Sequence, residues 1–563
     1  MGEPLPDPLP PSPYALRPWL RHYDYWVPPH LVYPERPLHE ILDTAAVDVP
    51  DRPATWFLGA TLTFATLNDR ARRLAAALGR LGIAKGDRVG IMLPNCPQYI
   101  IAAFAILRRG AVVVNINPGY TPRETQVIAK DSGLHTLITL DALAPLALDL
   151  KGTTRVERVV VTSLREYSGP GGPVPRIEGT LALTDLIASV ETPGFDTSPI
   201  APGDLAVLQY TGGTTGTPKA AMLTHANLFA NVVQTEAFVD RHQQRGEARY
   251  LLVIPYFHIY AFTVGMLKGI WAGALQVLIP KYDVDQVLTA LRDFRPTYFP
   301  AVPTIFVSLL GHPNAGEYGL DKVRTFNSGG APCPVDVIEQ WERTFGRPLN
   351  QGYGLSEASP VTHTTPQLAL RKPGTIGVPV CDTDIKIVDL ETGKTELPIG
   401  EAGELCIAGP QVMKGYWQRP DESAQALRIG ADGRIWLHTG DVARMDADGY
   451  TTIVQRKTDL VIVDGFNVYP SEVEAVLCAH PAVRLAAVIG VPDVYHGEVV
   501  RAAVVLQDRM SASEANLIDH CRRDLAPYKV PEQINIRDTL PMSAVGKILY
   551  RVLRDEIATG VRS

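Results

Sequence analysis

The stretch TFATLNDRARRLAAALGRLGIAKGDRVGIMLPNCPQYIIAAFAILRRGAVVVNIN, residues 63–117, determines the fold class. Its first part repeats apolar residues at helical spacing, and these are Leu67, Ala71, Leu74, Leu78 and Leu81. Gly82 ends this helix, and the apolar run VGIML follows it as a strand. A second helix and a second strand complete the stretch. Strands that alternate with helices form parallel sheets covered by helices, so the pattern predicts an α/β fold.

The same alternation continues beyond this stretch. HTLITL, RVVVT, AVLQYTGG, YLLVIP and ALQVLIP are further strand-like segments. From about residue 374 the pattern changes to short strand-like pieces separated by TG, DG and GP turns, which is typical of a β-rich subdomain. The last hundred or so residues alternate helical and strand-like segments again, as a small α+β domain would.

These changes of pattern predict the domain organisation. We expect a large N-terminal domain over residues 1–455, with its β-rich subdomain at about 374–455. A hinge at 456–459 then leads to a small, mobile C-terminal domain at 460–563. A chain of 563 residues is long enough for several domains, because single cores stop growing at roughly 250 to 300 residues.

Composition excludes several classes of protein. With 53 Lys and Arg against 60 Asp and Glu, the net charge of −7 argues against a nucleic acid partner. The six cysteines form no C-x-x-C pair, which argues against a clustered zinc site and favours a reduced, cytoplasmic compartment. The most apolar run, YAFTVGMLKGIWAGALQVLIP, is interrupted by Lys268 and fits a buried helix followed by a strand better than a membrane span.

The segment YTGGTTGTPKAAMLTH, residues 210–225, has the composition of a phosphate-binding loop. Glycines allow the backbone N–H groups to approach an anion closely, while the hydroxyls and Lys219 add further donors. Its spacing differs from the G-x-x-x-x-G-K-[ST] pattern of a P-loop. A polar surface turn would have the same composition, so the loop alone leaves both interpretations open.

Three other segments stand out further along the chain. NQGYGLSEAS places Tyr353 and Glu357 around a glycine turn, WLHTGDVA contains Asp441, and PMSAVGKILYRVLR contains Lys547. Each has a structural explanation when taken singly: a packed turn tyrosine, a capping aspartate and a surface lysine.

Together, and in this order, these segments resemble the adenylate-forming superfamily of acyl-CoA synthetases, peptide-synthetase adenylation domains and firefly luciferase. The resemblance begins at LTFATLNDRARRLAAALGRLGIAKGDRVGIML and ends at SAVGKILYRVLR. Within the superfamily, LQYTGGTTG, NINPGYTPRE, PYFHIYA and DGFNVYPSEVE are most similar to bacterial long-chain fatty acyl-CoA ligases. The resemblance implies activation of a fatty acid with ATP and Mg²⁺ through an acyl adenylate, followed by transfer to coenzyme A.

The resemblance also implies a set of nucleotide-binding residues. Those that would hold ATP or AMP are Thr211, Gly212, Gly213, Thr214, Thr215, Gly216, Thr217, Lys219, Gly330, Ala331, Tyr353, Gly354, Ser356, Asp441 and Arg456. The loop and Lys219 would bind the β- and γ-phosphates. Tyr353 and the GGAP turn would enclose adenine, and Asp441 would accept hydrogen bonds from both ribose hydroxyls.

The remaining implied roles concern the metal, the chemistry and coenzyme A. Glu357, with the hydroxyl of Thr214, would hold Mg²⁺. Lys547 would stabilise charge on the carboxylate and the α-phosphate, and His258 would orient the carboxylate or gate its access rather than act as a base.

Gly465 and Phe466 would line the path of the pantetheine arm of coenzyme A. The hinge position carries Thr458, where relatives usually have Asp or Lys, so the carry-over of a hinge residue stays open.

Two alternative functions would also use the glycine- and threonine-rich loop at residues 210–225. A ligase for aromatic or shorter carboxylates would share the mechanism, and a non-catalytic nucleotide- or acyl-binding protein would keep the fold without needing Lys547. Amino-acid activation fits less well, because residues 257–260 supply no Asp for an α-amino group.

The apolar segments at 261–278 and 297–310 serve equally well as acyl-pocket walls or as core. The resemblance leaves peripheral contact with the inner membrane surface and a homodimer as open expectations.

Overall fold

The computed structural model describes residues 12–169, 171–172, 175–191, 199–211, 218–239, 244–464, 466–493, 495–543 and 547–559. Contacts within the chain divide it into two compact units. The larger unit contains His22–Thr383 and Ala408–Leu437. The smaller unit contains Met1–Arg21, Asp384–Ile407 and His438–Ser563. The hinge and domain boundaries expected from the sequence stay predictions.

The strands are, in chain order, β1 (Pro53–Phe57), β2 (Ala60–Thr63), β3 (Arg88–Met92), β4 (Val112–Asn115), β5 (Thr136–Leu140), β6 (Arg158–Thr162), β7 (Leu181–Ala182), β8 (Leu205–Thr211), β9 (Lys219–Thr224), β10 (Arg249–Leu252), β11 (Leu275–Leu278), β12 (Tyr298–Ala301), β13 (Thr325–Ser328), β14 (Leu349–Gly354), β15 (Val361–Thr364), β16 (Val378–Pro379), β17 (Asp384–Val388), β18 (Gly403–Ala408), β19 (Leu427–Ile429), β20 (Ile435–Met445), β21 (Thr451–Arg456), β22 (Val461–Val463), β23 (Phe466–Val468), β24 (Val483–Asp493), β25 (Gly497–Leu506) and β26 (Gln533–Arg537).

The α-helices are α1 (Glu40–Asp48), α2 (Phe64–Arg80), α3 (Pro97–Arg108), α4 (Pro122–Ser132), α5 (Ala144–Asp149), α6 (Leu183–Ala188), α7 (His225–Ala237), α8 (Lys268–Trp271), α9 (Val284–Phe294), α10 (Pro303–Leu310), α11 (Val335–Phe345), α12 (Pro420–Ala426), α13 (Pro470–Cys478), α14 (Glu514–Asp524) and α15 (Tyr550–Thr559).

Two sheets organise the larger unit. One has nine strands in the order β16-β15-β14-β13-β12-β10-β11-β1-β2, and the other has seven in the order β7-β6-β5-β3-β4-β8-β9. Their central strands pair in parallel, and antiparallel pairs occur at the margins, for example β8 with β9. Parallel strands joined through helices are what the opening stretch predicts, so the α/β fold class is confirmed.

The helix predicted before Gly82 is α2. Its N-cap Thr63 accepts a hydrogen bond from the Thr66 backbone N–H, and the predicted apolar positions from Leu67 to Leu78 are buried. Gly82 adopts φ +84°, a left-handed conformation that ends the helix at low steric cost. The next helix, α3, is buried along its whole length, as its apolar composition requires.

The apolar run before residue 280 also folds as predicted. It forms a buried π-helix at Ala261–Leu267 that continues into α8, and β11 follows. Within the part of the chain that the structure describes, no helix is long and apolar enough to cross a membrane.

The smaller unit is built mostly on antiparallel strand pairs. β17, β18, β20 and β21 belong to one five-stranded sheet, whose remaining strand, β19, pairs with the first residues of β20. β22 to β26 form another sheet in the order β23-β22-β25-β24, with β26 parallel to β25. Helices α13 and α14 contribute to its apolar core, and this is the small α+β domain expected near the C-terminus.

The N-terminal segment of the larger unit is anchored by a buried aspartate. Asp24 is 3% exposed and accepts backbone hydrogen bonds from Gln367, Leu368 and Ala369 at 2.7 to 2.8 Å. Three N–H groups would lose their acceptor in Asp24→Ala. We therefore expect the free energy of unfolding to fall by roughly 3 kcal/mol or more, measured by urea unfolding. The exposed Asp51→Ala is the control, and a loss no larger than that of the control would contradict this anchoring role.

Candidate active site

The carboxyl ends of four parallel strands define one edge of the nine-stranded sheet. β10, β12, β13 and β14 are neighbours and run parallel, so the segments that follow them lie along this edge. His258 lies beyond β10, Gly330 and Ala331 follow β13, and Tyr353 lies at the end of β14. Ligands of open α/β sheets bind in crevices at such edges. Residues nearly a hundred positions apart are thus brought to the same side of the sheet.

The two ends of the glycine- and threonine-rich loop are held together by strand pairing. Thr211 ends β8 and Lys219 begins β9, and the two residues are paired across the antiparallel strands. The Thr211 hydroxyl donates to the Lys219 carbonyl at 3.3 Å. The loop positions between them that the sequence selects are Gly212, Gly213, Thr214, Thr215, Gly216 and Thr217, and they lie outside the described residues.

Tyr416 joins two of the predicted site residues. Its ring centroid lies 5.6 Å from the Lys219 ammonium, and its hydroxyl donates to Glu357 Oε1 at 2.8 Å. Glu357 belongs to a short 3₁₀ helix, Ser356–Ala358, that follows β14. Sequence reasoning did not select Tyr416; the segment KGYWQRP, which pairs with β9 through Ala221, was the available signal. Tyr416 therefore contacts both the Lys219 ammonium and the Glu357 carboxylate.

The residues predicted to enclose adenine lie where two backbone segments approach each other closely, at Gly354 and Pro360. Tyr353 pairs with His363 of β15, and the two rings meet edge to face at 5.8 Å. At Gly354 a Cβ atom would lie 2.3 Å from the Pro360 carbonyl oxygen, so only glycine fits this position. Gly330 has φ +82°, again in the left-handed region.

His258 stands at the start of the buried helix and is held by the backbone around it. Its Nδ1 accepts from the Tyr260 N–H at 3.3 Å. The preceding carbonyl, of Phe257, accepts from Gln209 of β8 at 3.2 Å, and Gln209 in turn accepts from Asn115 of β4. This buried amide pair links the two sheets at the position of His258. Asn115 lies in the NINPGYTPRE segment, yet sequence reasoning did not assign it a role.

In the smaller unit, Asp441 and Arg456 are direct partners. They face each other across β20 and β21, with Arg456 Nε 2.7 Å from Asp441 Oδ1. The Asp441 side chain is only 4% exposed, so the guanidinium compensates a carboxylate that is largely removed from water. The Asp441 N–H also donates to the Thr439 hydroxyl, which fixes the turn through Gly440.

A second carboxylate supports this turn. Glu404 of β18 accepts from the Gly440 N–H at 3.1 Å and lies 3.4 Å from His438 and 3.2 Å from Lys457. Burial raises the pKa of Glu404, but the hydrogen bond with His438 and the charge of Lys457 outweigh it and lower the pKa to about 2. Sequence reasoning did not select Glu404, because nothing local to GELCIAGP distinguishes it from a surface glutamate.

Lys547 lies near the same group of residues. It is exposed, and its carbonyl accepts from the Ser543 N–H at 2.8 Å. Burial raises the pKa of Asp459, and the positive charges of Arg554, Arg456 and Lys547 oppose this rise. The smaller unit therefore brings Lys547 into the electrostatic neighbourhood of Asp459 and Arg456.

Of the residues predicted to contact coenzyme A, Gly465 lies outside the described residues. Phe466 is 56% exposed and stacks on Tyr528, with ring centroids 4.9 Å apart and planes inclined by 27°. Thr458 lies in the 3₁₀ helix Lys457–Asp459 between β21 and β22.

For a metal, the described residues contain no group of three or more His, Cys, Asp or Glu side chains able to hold an ion. Glu357 lies in the 3₁₀ helix that follows β14 at the sheet edge. Mg²⁺ usually retains waters and takes one or two carboxylates together with substrate phosphates, so the Glu357 carboxylate would fit Mg²⁺ better than a metal held by protein ligands alone.

Comparison with known proteins identifies relatives along nearly the whole chain. The sequence profile of the AMP-binding enzyme family matches residues 42–417, and that of the AMP-binding enzyme C-terminal domain matches residues 472–547. The chain is 41% identical to a long-chain-fatty-acid–CoA ligase of Bacillus subtilis (strain 168), across 96% of this chain and 98% of that protein.

It is also 33% identical to 4-coumarate–CoA ligase 2 of Oryza sativa subsp. japonica, across 95% of this chain and 94% of that protein. The solved structure of ATP-bound MatB from Rhodopseudomonas palustris matches with a TM-score of 0.84 at 30% identity, over 93% of this chain and 99% of that one.

The ionised Glu404 carboxylate stabilises the folded chain in a pH-dependent way. Its pKa of about 2 lies below the usual 4.5, so the stabilisation is complete above pH 4.5 and is lost as the pH falls towards 2. We expect Glu404→Gln to lower the free energy of unfolding by about 3 kcal/mol at neutral pH and by roughly half of that or less near pH 3. Urea unfolding at both pH values measures this. The exposed Glu401→Gln is the control, and an equal loss for Glu404→Gln at both pH values would contradict it.

Proposed function

We propose that this chain, which belongs to the AMP-binding enzyme family, is an AMP-forming long-chain fatty acid–CoA ligase. The observation that carries the proposal is the nearly full-length similarity to the Bacillus subtilis ligase. ATP and coenzyme A are the co-substrates of such an enzyme, and the fatty acid is the group that it activates.

The reaction proceeds in two steps because a carboxylate is a poor electrophile. In the first step a carboxylate oxygen attacks the α-phosphorus of ATP, the bond to the bridging oxygen breaks, and pyrophosphate leaves. In the second step the thiolate of coenzyme A attacks the acyl carbon, and AMP leaves with the bonding electron pair. The chain must therefore hold a leaving pyrophosphate first and a leaving AMP second.

The phosphates are assigned to the loop between β8 and β9. We propose that Thr211, the loop at 212–217 and Lys219 bind the β- and γ-phosphates. The contact of Lys219 with the Tyr416 ring, and the hydrogen bond from Tyr416 to Glu357, support this role because they orient the lysine beside the carboxylate. Glu357, with Thr214, is the proposed Mg²⁺ ligand; bound Mg²⁺ supplies positive charge that neutralises the phosphate oxygens.

The nucleoside is assigned to two groups of residues. We propose that the Tyr353 ring and the backbone of Gly330, Ala331, Gly354 and Ser356 enclose adenine. Close backbone approach at Gly354 and the left-handed Gly330 support a surface on which a flat base can lie.

Asp441 is proposed to accept hydrogen bonds from the ribose hydroxyls. Its ion pair with Arg456 supports this role because it fixes the orientation of the carboxylate, and Arg456 is proposed to lie beside the ribose and the α-phosphate.

Lys547 is proposed as the catalytic cation of the first step. An ammonium placed at the carboxylate and α-phosphate oxygens stabilises charge that develops in the transition state, typically by several kcal/mol. The Lys547 side chain is exposed, which is compatible with its delivery by a mobile domain. After the first step, rotation about the hinge at 456–459 is proposed to withdraw Lys547 from the active site. The segment with Gly465 and Phe466 then takes its place and admits the pantetheine arm.

His258 is proposed to orient the substrate carboxylate or to gate its access. Its place at the sheet edge, fixed through the Gln209 and Phe257 contact, supports a positioning role. The wall segments 261–278 and 297–310 are proposed to line the acyl pocket. Cytoplasmic localisation, peripheral contact with the inner membrane surface and a homodimer stay proposals.

A ligase for aromatic or shorter carboxylates is the second candidate. It has less support, because the identity to the rice 4-coumarate ligase is 33%, against 41% to the Bacillus subtilis fatty acid ligase. A non-catalytic nucleotide-binding protein would have no chemical need for Lys547.

Substrate-dependent pyrophosphate release tests the proposed activity. We expect release with ATP, Mg²⁺ and palmitate, and a higher kcat/KM for palmitate or oleate than for acetate or coumarate, because long chains bury more apolar surface. Assays without a carboxylate give the background. A higher kcat/KM for coumarate would transfer the assignment to the aromatic ligases, and no release with any carboxylate would exclude a ligase.

Lys547→Ala separates the two half-reactions. We expect pyrophosphate release to fall by about a hundredfold or more, because the first transition state loses its cation. Thioester formation from preformed palmitoyl-AMP and coenzyme A should stay within a few-fold of the unsubstituted enzyme. The exposed Lys394→Ala serves as the matched control. Equal losses in both half-reactions would show that the role given to Lys547 is wrong.

A further inference from the structure

Asp131 is a largely buried carboxylate with two side-chain partners. It lies in the last turn of α4, and its side chain is 15% exposed. Its Oδ2 atom accepts a hydrogen bond from the Tyr210 hydroxyl at 2.8 Å, and its Oδ1 atom lies 2.6 Å from Nη2 of Arg419. Both oxygens of the carboxylate are therefore engaged, by residues that lie 79 and 288 positions further along the chain.

Tyr210 connects this carboxylate to the two strands that carry Thr211 and Lys219. It immediately precedes Thr211 in β8 and is paired with Ala220 of β9, just as Thr211 is paired with Lys219. Burial raises the pKa of Tyr210, and the negative charge of Asp131 raises it further, so the phenol stays protonated and donates to the carboxylate. This hydrogen bond fixes β8 at the residue before Thr211.

The segment that contains Trp417 and Arg419 connects β9 to the same helix. The Trp417 N–H donates to the Ala220 carbonyl at 2.9 Å, and Trp417 Nε1 donates to the Asp131 carbonyl at 3.2 Å. Arg419 then reaches the Asp131 side chain. The residue before Trp417 is Tyr416, whose ring contacts the lysine at the start of β9. The position of this segment against α4 therefore bears on that lysine as well.

These contacts lie on the opposite face of the strands from the side chains proposed to bind phosphate. Tyr210 and Ala220 pack with residues of α4 in one apolar core. Neighbouring residues of a strand point to opposite faces, so the side chains of Thr211 and Lys219 point away from α4. Asp131 therefore acts on Thr211 and Lys219 through the backbone of the two strands.

Stability alone gives a weak reason for this arrangement. Moving an ion pair out of water costs about as much as the attraction between its charges contributes, and apolar residues of similar volume are often as stable. What the pair of contacts to Asp131 provides is a defined position. A phenol on β8 and a guanidinium on the segment beside β9 meet at one carboxylate, which fixes both strands relative to α4.

We propose that Asp131 is a positioning residue for the half-reaction that releases pyrophosphate. Through its two partners it holds Thr211 and Lys219 in place for the β- and γ-phosphates of ATP. The inference rests on the proposed function, because it adds a residue to those that serve the first step. Pyrophosphate leaves before coenzyme A attacks, so the second half-reaction does not need this alignment. AMP, which has no β- or γ-phosphate, does not need it either.

Asp131→Asn tests this role, because an amide of the same size replaces the carboxylate and removes the ion pair with Arg419. We expect kcat/KM for ATP in palmitate-dependent pyrophosphate release to fall by about tenfold, which is the effect of one hydrogen bond to a charged group. Thioester formation from preformed palmitoyl-AMP and coenzyme A should stay unchanged, and so should the Kd of AMP. The matched control is Asp149→Asn, at an exposed aspartate that ends α5, and it should leave all of these quantities unchanged.

Tyr210→Phe is a second variant, which removes only the phenol hydroxyl and keeps the ion pair between Asp131 and Arg419. We expect a smaller loss of the same kind, and this variant decides the question if urea unfolding shows that Asp131→Asn does not fold. An unchanged kcat/KM for ATP in the deciding variant would overturn the inference. Equal losses in both half-reactions would also overturn it, because they indicate a general destabilisation. Both results leave the proposed function in place, whereas no pyrophosphate release by the unsubstituted enzyme with any carboxylate would overturn the proposed function itself.

Discussion

Parallel pairing of neighbouring strands is the constraint on which the site in the larger unit depends. β10, β12, β13 and β14 run in one direction, so the chain leaves each of them at the same edge. His258, Gly330 and Tyr353 reach that edge from positions far apart in sequence. Strand pairing, rather than closeness in sequence, therefore brings these residues together. The helices between the strands return the chain to the opposite edge of the sheet.

The smaller unit provides partners of opposite charge for carboxylates that are largely removed from water. Asp441 pairs with Arg456 across two antiparallel strands, and Glu404 is compensated by His438 and Lys457. Removing one partner would leave a charge without compensation, which costs more than the pair contributes.

Much of the fold could be predicted from the sequence because its signals are local. Each of these signals acts over a few residues and corresponds to a feature of the structure. The apolar spacing predicts α2, Gly82 marks the end of that helix, and the β-branched run RVVVT predicts β6. Tyr416 and Glu404 were missed since their importance comes from partners about 35 to 60 positions away. Lys268 was read only as an interruption of an apolar run; its aromatic partners follow from strand pairing, which no local pattern contains.

The central claim is that the chain activates a carboxylate as an acyl adenylate. Exchange of labelled pyrophosphate into ATP, measured with palmitate and Mg²⁺ in the absence of coenzyme A, tests this most directly, because only a reversible adenylation step links the two. We expect exchange that requires palmitate and stops when the fatty acid is withheld. Formation of palmitoyl-CoA without any palmitate-dependent exchange would contradict the adenylate route.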